Sequence, residues 1–562
     1  MLHKKYLYTA LFLSLAVFLR VHGQDQTVGL IQNTENAYDG YTLFASLQYP
    51  ATYLINNEGQ IVHSWEHDYV AGNAIYLLEN GNLFRSVDPM TATHFIMGGD
   101  GGLIEIVDWD GNPVWQYEYS NEMVRHHHEA LYLPNGNVLI LAWEYKSREE
   151  AIQAGRDSTT MDEDSLWPEH LVEVKPNGSS GGDIVWKWHI WDHLIQDYDP
   201  SKDNYGVVED HPELIDINYF KNYLADWQHA NAIDYNESLD QILISSRDFD
   251  EIWIIDHSTT TEEAAGHSGG LSGKGGDILY RYGNPRTYRA GTKEDQVFFS
   301  QHNVHWIPEG LEGAGHLLAF NNGPLRPEPR FSSIDELVLP MDGSGNYIDP
   351  EPGSAYGPDE FVWRYIADPP ESFYSTFLSG AQRLPNGNTL ICSGAFGTFF
   401  EINRENEIVW EYISPVTVDG PVEQGVELEE RDNIVFRAKR YGKDYPAFIG
   451  RDLTPKGTIE LTNTAVPDNN DISGYSFQLY ANYPNPFNPV TTIQFSLPRA
   501  SKVDLNIYNA LGQNVLTLIN QESFSAGNHT IEFNADDLNS GLYVYRLQAD
   551  NYSESRSMIL TK

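Results

Sequence analysis

Two stretches of this chain carry side chains whose type and setting suit proton transfer or nucleophilic attack. Asp226–Asn236, DWQHANAIDYN, places His229 between a tryptophan and a small-residue run that leads to a β-like segment, Gln241–Arg247. Gln301–Trp306, QHNVHW, carries His302 and His305 and leads to a similar segment, His316–Phe320. An imidazole titrates near neutrality, so it can attack, accept or donate a proton at physiological pH. His229 and His302 are therefore the candidate catalytic residues, feeding one pocket from neighbouring repeats. The cluster Arg125–Glu129, RHHHE, precedes its own hairpin in the same way. Three consecutive histidines cannot all face one site, so His128 is assigned to the pocket and the other two to the surrounding loop. Arg247 offers a planar donor fork for anionic oxygens. Tyr374 offers a phenolic donor, and His305 is a reserve imidazole; all four are read as substrate-binding. Each has a structural counterpart, because a histidine beside tryptophan is commonly a hydrogen-bonded core residue. Histidines near acids can also hold Zn²⁺, but no CxxC, HExxH or zinc-finger spacing occurs, and neither metal nor cofactor is assigned.

These residues need a frame, and the frame is repetitive. From Thr42 to Arg440 a three-part phrase recurs six times. One part is a hydrophobic pair closed by an aromatic, as in GQIVHSW (Gly59–Trp65), GNPVWQY (Gly111–Tyr117), GDIVWKW (Gly182–Trp188) and NEIVWEY (Asn406–Tyr412). Another is a hairpin turn, as in LENGNLF (Leu78–Phe84), LPNGNVLIL (Leu133–Leu141) and LPNGNTLI (Leu384–Ile391). Asn-Gly favours a hairpin in which both central residues adopt positive φ. The third part is a strand such as IWIIDHS (Ile252–Ser258). Six copies of short strands predict a six-bladed β-propeller, with the tryptophans packed between blades. Insertions at Lys146–His170, Ile190–Asp226, Thr259–Gly275 and Asn321–Pro358 would wall the central site. Asp192–Asp203 and Asp335–Asp359 are acidic, but their spacing is not that of an EF-hand, so they read as solvated loops.

The two ends differ from this frame. His3, Lys4 and Lys5 precede an apolar run, Tyr6–Leu19, and a small-residue cleavage site near Gln24, which reads as a signal peptide over residues 1–23. The run is short for a membrane span, so no stable transmembrane segment is expected. The propeller is expected over residues 24–453, a polar linker over 454–476, and a small β-sandwich over 477–562. The fold class is thus all-β. A net charge of −45 argues against nucleic-acid partners. The single cysteine, Cys392, excludes an intrachain disulfide and reads as a buried thiol.

The C-terminal segment resembles the sorting domain of type IX (Por) secretion. It carries ANYPNPFNP (Ala481–Pro489), IYNALGQ within Val503–Val515, SGLYVYRLQ (Ser540–Gln548) and a basic end, SMILTK (Ser557–Lys562), in order. The resemblance implies a secreted or cell-surface protein that meets the type IX machinery. The propeller resembles the bacterial arylsulfate sulfotransferases over Gln26–Ala447, through DWQHAN, QHNVHW, NGPLRPEPRFS (Asn322–Ser332) and the LPNGN hairpins. This implies transfer of a sulfuryl group from an aryl sulfate to a phenolic acceptor through a sulfohistidine, without a nucleotide donor. By motif position, His229 and His302 match pocket histidines of that family, and Arg330 its anion-binding arginine. The family draws its nucleophile from a late repeat, whereas Phe361–Gly450 contains no histidine and the equivalent stretch reads FYSTFLSGAQRLPNGN (Phe373–Asn388). Two alternatives follow: a non-catalytic propeller binding a glycan or peptide, or a hydrolase or lyase using the same pocket.

Overall fold

The computed structural model describes residues 26–89, 94–161, 163–219, 223–461, 478–480, 482–497, 500–509, 513–525, 527–536, 538–549 and 552–562. The expected signal peptide and most of the expected linker lie outside them.

Met1–Glu460 forms one compact unit, and its described part is built on six antiparallel sheets of four or five strands. Five sheets take their strands in chain order, starting from Ala71–Leu77, Val124–Tyr132, Ala230–Asn236, His302–Trp306 and Gly380–Arg383. The sixth joins the two ends of the unit. Val435–Gly442 pairs antiparallel with Gly40–Ser46, in a register that sets Tyr41 opposite Tyr441. In addition, Gly29–Asn33 pairs with Ile408–Ile413 at the outer edge of the last sheet. The six leading strands touch one another in cyclic order, from Ala71–Leu77 through each in turn to Val435–Gly442 and back. The fold is all-β and propeller-like.

Local chemistry explains the repeats. In Leu133–Asn137 the Leu133 N–H donates to Asn137 O at 2.8 Å and the Gly136 N–H to Leu133 O at 2.9 Å. Leu78–Asn82 and Leu384–Asn388 repeat both bonds. In all three loops only the glycine takes positive φ, at +86°, +84° and +88° for Gly81, Gly136 and Gly387. They are therefore three-residue turns with a left-handed glycine, and not the two-residue form with both central residues left-handed that Asn-Gly suggests. The asparagine instead accepts from the backbone two residues on, as Asn135 Oδ1 does from Asn137 N at 2.9 Å.

The recurrent tryptophans join neighbouring sheets. Trp65 Nε1 donates to Asp108 O at 3.2 Å, Trp115 to Gly181 O at 2.9 Å, Trp188 to Gly276 O at 2.7 Å and Trp410 to Asn57 O at 2.8 Å. Each acceptor lies in, or a few residues from, a strand of the neighbouring sheet. A buried indole needs such a partner for its N–H, so the bond fixes each ring's orientation as well as filling space. Cys392 is buried in a strand, and burial pushes its thiol up to about 12; it is an inert core residue.

The second unit, Leu461–Lys562, has two antiparallel sheets, one of three strands and one of four. They share one core that includes Phe487, Phe495, Leu505, Tyr545 and Met558. Residues 454–460, expected to begin the linker, pack within the first unit. Lys456 N donates to Ile61 O at 2.8 Å, Ile61 N to Gly457 O at 2.7 Å, and Ile459 is buried.

Candidate active site

Several of the leading strands are interrupted by bulges, and the bulges turn side chains toward the neighbouring leading strands. Along Val124–Tyr132, Ala142 faces His126 and Ile140 faces Ala130, so three residues oppose one. The irregularity places His128 at φ +54°. His229 stands at +49° just before its strand, and Ser300 and Asn303, at +56° and +48°, bracket His302. Non-glycine residues tolerate this left-handed backbone only when their surroundings hold them there. Bulges at such positions redirect side chains. Here they bring together three histidines from three consecutive sheets.

The hydrogen bonds define which nitrogens are basic. His229 Nδ1 lies 2.5 Å from Asp226 Oδ2, and Trp143 Nε1 donates to Asp226 Oδ1 at 3.1 Å. A carboxylate can only accept, so His229 carries its proton on Nδ1 and presents a lone pair at Nε2. That Nε2 lies 3.1 Å from His128 Nε2. His128 therefore donates from Nε2, and its buried Nδ1 has no hydrogen-bond partner. His302 Nδ1 faces two acceptors, Asn322 Oδ1 at 2.8 Å and Ser300 O at 3.1 Å. Asn322 is itself oriented, because its Nδ2 donates to Ser375 O at 2.8 Å and Leu378 O at 3.1 Å. His302 Nε2 is thus the second basic nitrogen of the site.

Burial, followed by the charge of Arg247, holds His302 well below the usual imidazole range. Burial and the adjacent His127 and His229 do the same for His128. Both are neutral at pH 7, which is the nucleophilic state.

A second layer supports the first. His127 stacks on Trp143 with ring centres 3.6 Å apart, and its Nδ1 lies 2.8 Å from Glu169 Oε1. The same oxygen accepts the Ala230 N–H at 3.0 Å, so Glu169 ties the His128 strand to the His229 strand. His128 stacks on Phe436, and the Arg437 guanidinium lies 4.4 Å from the centre of the same ring. Arg437 pairs with Glu129, which also accepts from the Tyr76 hydroxyl. Gly99, at φ +93°, lets its turn lie on His128; a Cβ there would overlap the imidazole.

The sequence-predicted residues fall into three groups. His128, His229 and His302 are mutually within electrostatic reach, and Arg247 acts on His302 while pairing with Asp248 at 2.6 Å. His305 stands apart from these, and burial lowers it to about 4. There it lines a cavity of about 200 Å³ with Tyr76, Asp234, Arg437 and Lys439. Tyr374 is half-buried beside Ser375, whose carbonyl holds Asn322. Arg330 is exposed on its loop and pairs with Glu328 at 3.1 Å; no described contact joins it to the histidines. From the same stretch Arg326 turns inward, over Phe299 and Phe331 at 5.3 and 4.2 Å.

Sequence reasoning left out Asp226, Asn322, Glu169 and Arg437. Asp226 had a usable signal, an acid three residues before a histidine within a single quoted motif. The other three are brought to the site only by the assembly of the sheets.

Residues 27–437 match the Arylsulfotransferase (ASST) family, and residues 481–561 match the secretion system C-terminal sorting domain. The fold and histidine site thus sit in a sulfotransferase-like enzyme domain. The chain belongs to the arylsulfotransferase family, and its type IX sorting domain directs it to the cell surface or the exterior. No curated protein matches the chain. Among solved structures, the periplasmic gluconolactonase PpgL of Pseudomonas aeruginosa is 9% identical, over 72% of this chain and 99% of that one, at a TM-score of 0.33. Virginiamycin B lyase from Staphylococcus aureus is 10% identical, over 69% and 88%, at 0.30. Both likenesses are too loose to carry function. No helix among the described residues is long and apolar enough to cross a membrane.

Proposed function

We propose that the chain is an exported arylsulfate sulfotransferase built on a closed six-bladed propeller, and that it works through a sulfohistidine at His302. The observation that carries this reading is the pair of oppositely prepared imidazoles at one axis. His302 is neutral, has its Nδ1 proton fixed by Asn322 and Ser300, and offers Nε2 as a lone pair. His229 has the Asp226 carboxylate on Nδ1, which fixes its orientation and tautomer. The cyclic contacts of the leading strands and the pairing of both chain ends into shared sheets support ring closure.

In this mechanism His302 Nε2 attacks the sulfur of the aryl sulfate and the bond from sulfur to the aryl oxygen breaks. The leaving phenolate takes a proton from the His229 imidazolium. His128, free at Nδ1, can shift its own proton there and accept from His229 Nε2 in the protonated state. In the second half, His229 removes the proton of a phenolic acceptor, whose oxygen takes the sulfuryl group and restores His302. Arg247 and Arg437 are the cations whose charges act on His302 and His128, and they are assigned to the sulfate oxygens. A nucleophile on the fourth leading strand, His302–Trp306, would thereby replace the histidine missing from Phe361–Gly450.

The test uses the purified chain, a chromogenic aryl sulfate and added phenol. Phenol-dependent release of the aryl group, abolished in His302→Ala and His229→Ala but retained in Arg330→Ala, is the expected result. Release independent of phenol would make the protein a hydrolase. Full activity in His302→Ala would remove the nucleophile assigned here.

A further inference from the structure

Away from the axis, two of the sequence's insertions meet. The glycine-rich stretch GHSGGLSGKGG (Gly266–Gly276) folds back so that His267 reaches Asp277, while His193 arrives from the insertion that begins at Ile190. The approach is close. A Cβ on Gly276 would overlap Ala264 O and stand 2.7 Å from His193 Nε2, and one on Gly275 would overlap Gly266 O. Glycine at these two positions is what allows the turn to seat against His193.

The donor arrangement is unusual. His193 is completely buried, and its Nε2 meets the carbonyl of Ala264 at 2.8 Å. A carbonyl only accepts, so Nε2 holds the proton, and in a neutral ring Nδ1 is then a lone pair. That lone pair points at Asp277 Oδ1 from 2.8 Å, and His267 Nδ1 lies 2.8 Å from the same oxygen. One donor atom from each of the three residues lies within 4.8 Å of the others. A carboxylate oxygen facing an imidazole lone pair is repulsive unless a proton or a cation stands between them. The backbone carbonyl on His193 Nε2 is the outer partner that fixes the tautomer of a metal-binding histidine.

We propose that His193, His267 and Asp277 bind a divalent first-row transition cation, with Zn²⁺ as its representative, which fastens the Gly266–Gly276 loop to the body of the unit. Two imidazoles and one carboxylate, with one position left for water, suit such an ion and not Ca²⁺ or Mg²⁺, which prefer oxygen ligands throughout. At bond lengths of about 2.0–2.1 Å, tetrahedral ligands stand roughly 3.3 Å apart, so opening each 2.8 Å contact by about half an ångström admits the ion. Access is provided for: Asp277 lines a cavity of about 480 Å³ whose wall also carries Glu209, Asp210, Glu213, Asp349 and Glu351. Their field draws cations toward the site. His267 is 63% exposed and is the ligand that can swing aside for the ion to enter. The inference is independent of the sulfuryl-transfer reading.

The full chain, stripped with EDTA and dialysed, is titrated with ZnCl₂ by calorimetry and with CoCl₂ by visible absorption. A second histidine cluster, His127, His128 and His229, also has donors within 4.8 Å of one another, so His128→Ala serves as the control background. The expected result is one Zn²⁺ bound in His128→Ala, with tetrahedral-type cobalt absorption. Adding His267→Ala, a change at an exposed side chain that leaves the fold intact, weakens binding on the order of tenfold or more. Aryl-group transfer by His267→Ala alone stays at the wild-type rate. Absence of Zn²⁺ binding, or binding that His267→Ala does not weaken, overturns the site.

Discussion

Replacing Asp226 by asparagine alters one functional group and reverses a hydrogen-bond direction. Trp143 Nε1 donates to Asp226 Oδ1 at 3.1 Å, and an asparagine keeps that bond only by placing its own oxygen there. Its NH₂ then occupies the position of Oδ2, 2.5 Å from His229 Nδ1, where the native carboxylate accepts. A donor at that point forces His229 into the tautomer with the proton on Nε2. His229 Nε2 then confronts the His128 Nε2 proton at 3.1 Å, and His128 must move its own proton to an Nδ1 that has no partner. The variant thus loses the basic nitrogen of His229 and the carboxylate that faces its Nδ1. Positioned acid–base catalysis contributes about 10²- to 10⁴-fold, and the same exchange in a serine-protease triad costs about 10⁴-fold. The expected fall in kcat is therefore about 10²- to 10⁴-fold, or roughly 3–5 kcal/mol of barrier. Phenol-dependent release of the aryl group is the assay, with thermal melting to verify that the fold persists. Activity of Asp226→Asn within about threefold of wild type would refute the tautomer argument, since no acid–base role of ordinary size is that small.

Further outcomes follow from the same geometry. Gly99→Ala forces a side chain at φ +93° onto the His128 ring, so transfer should fall strongly while melting shifts by only a few degrees; unchanged activity would mean that the His128 position is not needed. Removing the positive partner in Arg437→Met leaves Glu129 buried with only Tyr76, which should destabilise the unit by about 3–5 kcal/mol in denaturant unfolding. His126 is fully buried, and burial lowers it to about 3. Between that value and the unfolded imidazole value near 6.5 the unfolded chain binds the extra proton, so this group's contribution is complete above ~6.5 and is lost as pH falls. At pH 5 the loss is on the order of 2 kcal/mol. Buried carboxylates such as Asp250, raised to about 7, act in the opposite sense over the same range. The measurement is accordingly the difference in unfolding free energy between wild type and His126→Gln at pH 7 and pH 5, and an equal pH slope in the two would contradict it.

Much of the frame was legible because its signals are local. A glycine must occupy the left-handed position of each NGN turn, and an aromatic closes each outer strand, so six repeats and their strand content can be read from the order of residues alone. The same holds for the sorting domain, whose motifs are short and linear. His128, His229 and His302 could be named as a set because each precedes an equivalent strand, and the bulges that turn them inward recur at that place. What the order of residues does not contain, Asp226 apart, is the partner of each imidazole. Asn322 and Glu169 reach their histidines from, or just past, other strands of the same sheets, tens of residues away in the chain, and the pairing of Val435–Gly442 with Gly40–Ser46 brings Arg437 in from another sheet. Arg330 illustrates the converse: its motif is right for an anion site, yet the loop after Asn322 turns it to solvent and sends Arg326 inward. The His229 tautomer is set locally by Asp226, whereas those of His302 and His128 also depend on Asn322 and His229, which lie far from them in the chain. A proton's position on a ring depends on which acceptor faces it, and for His302 and His128 the assembled sheets supply the distant partner.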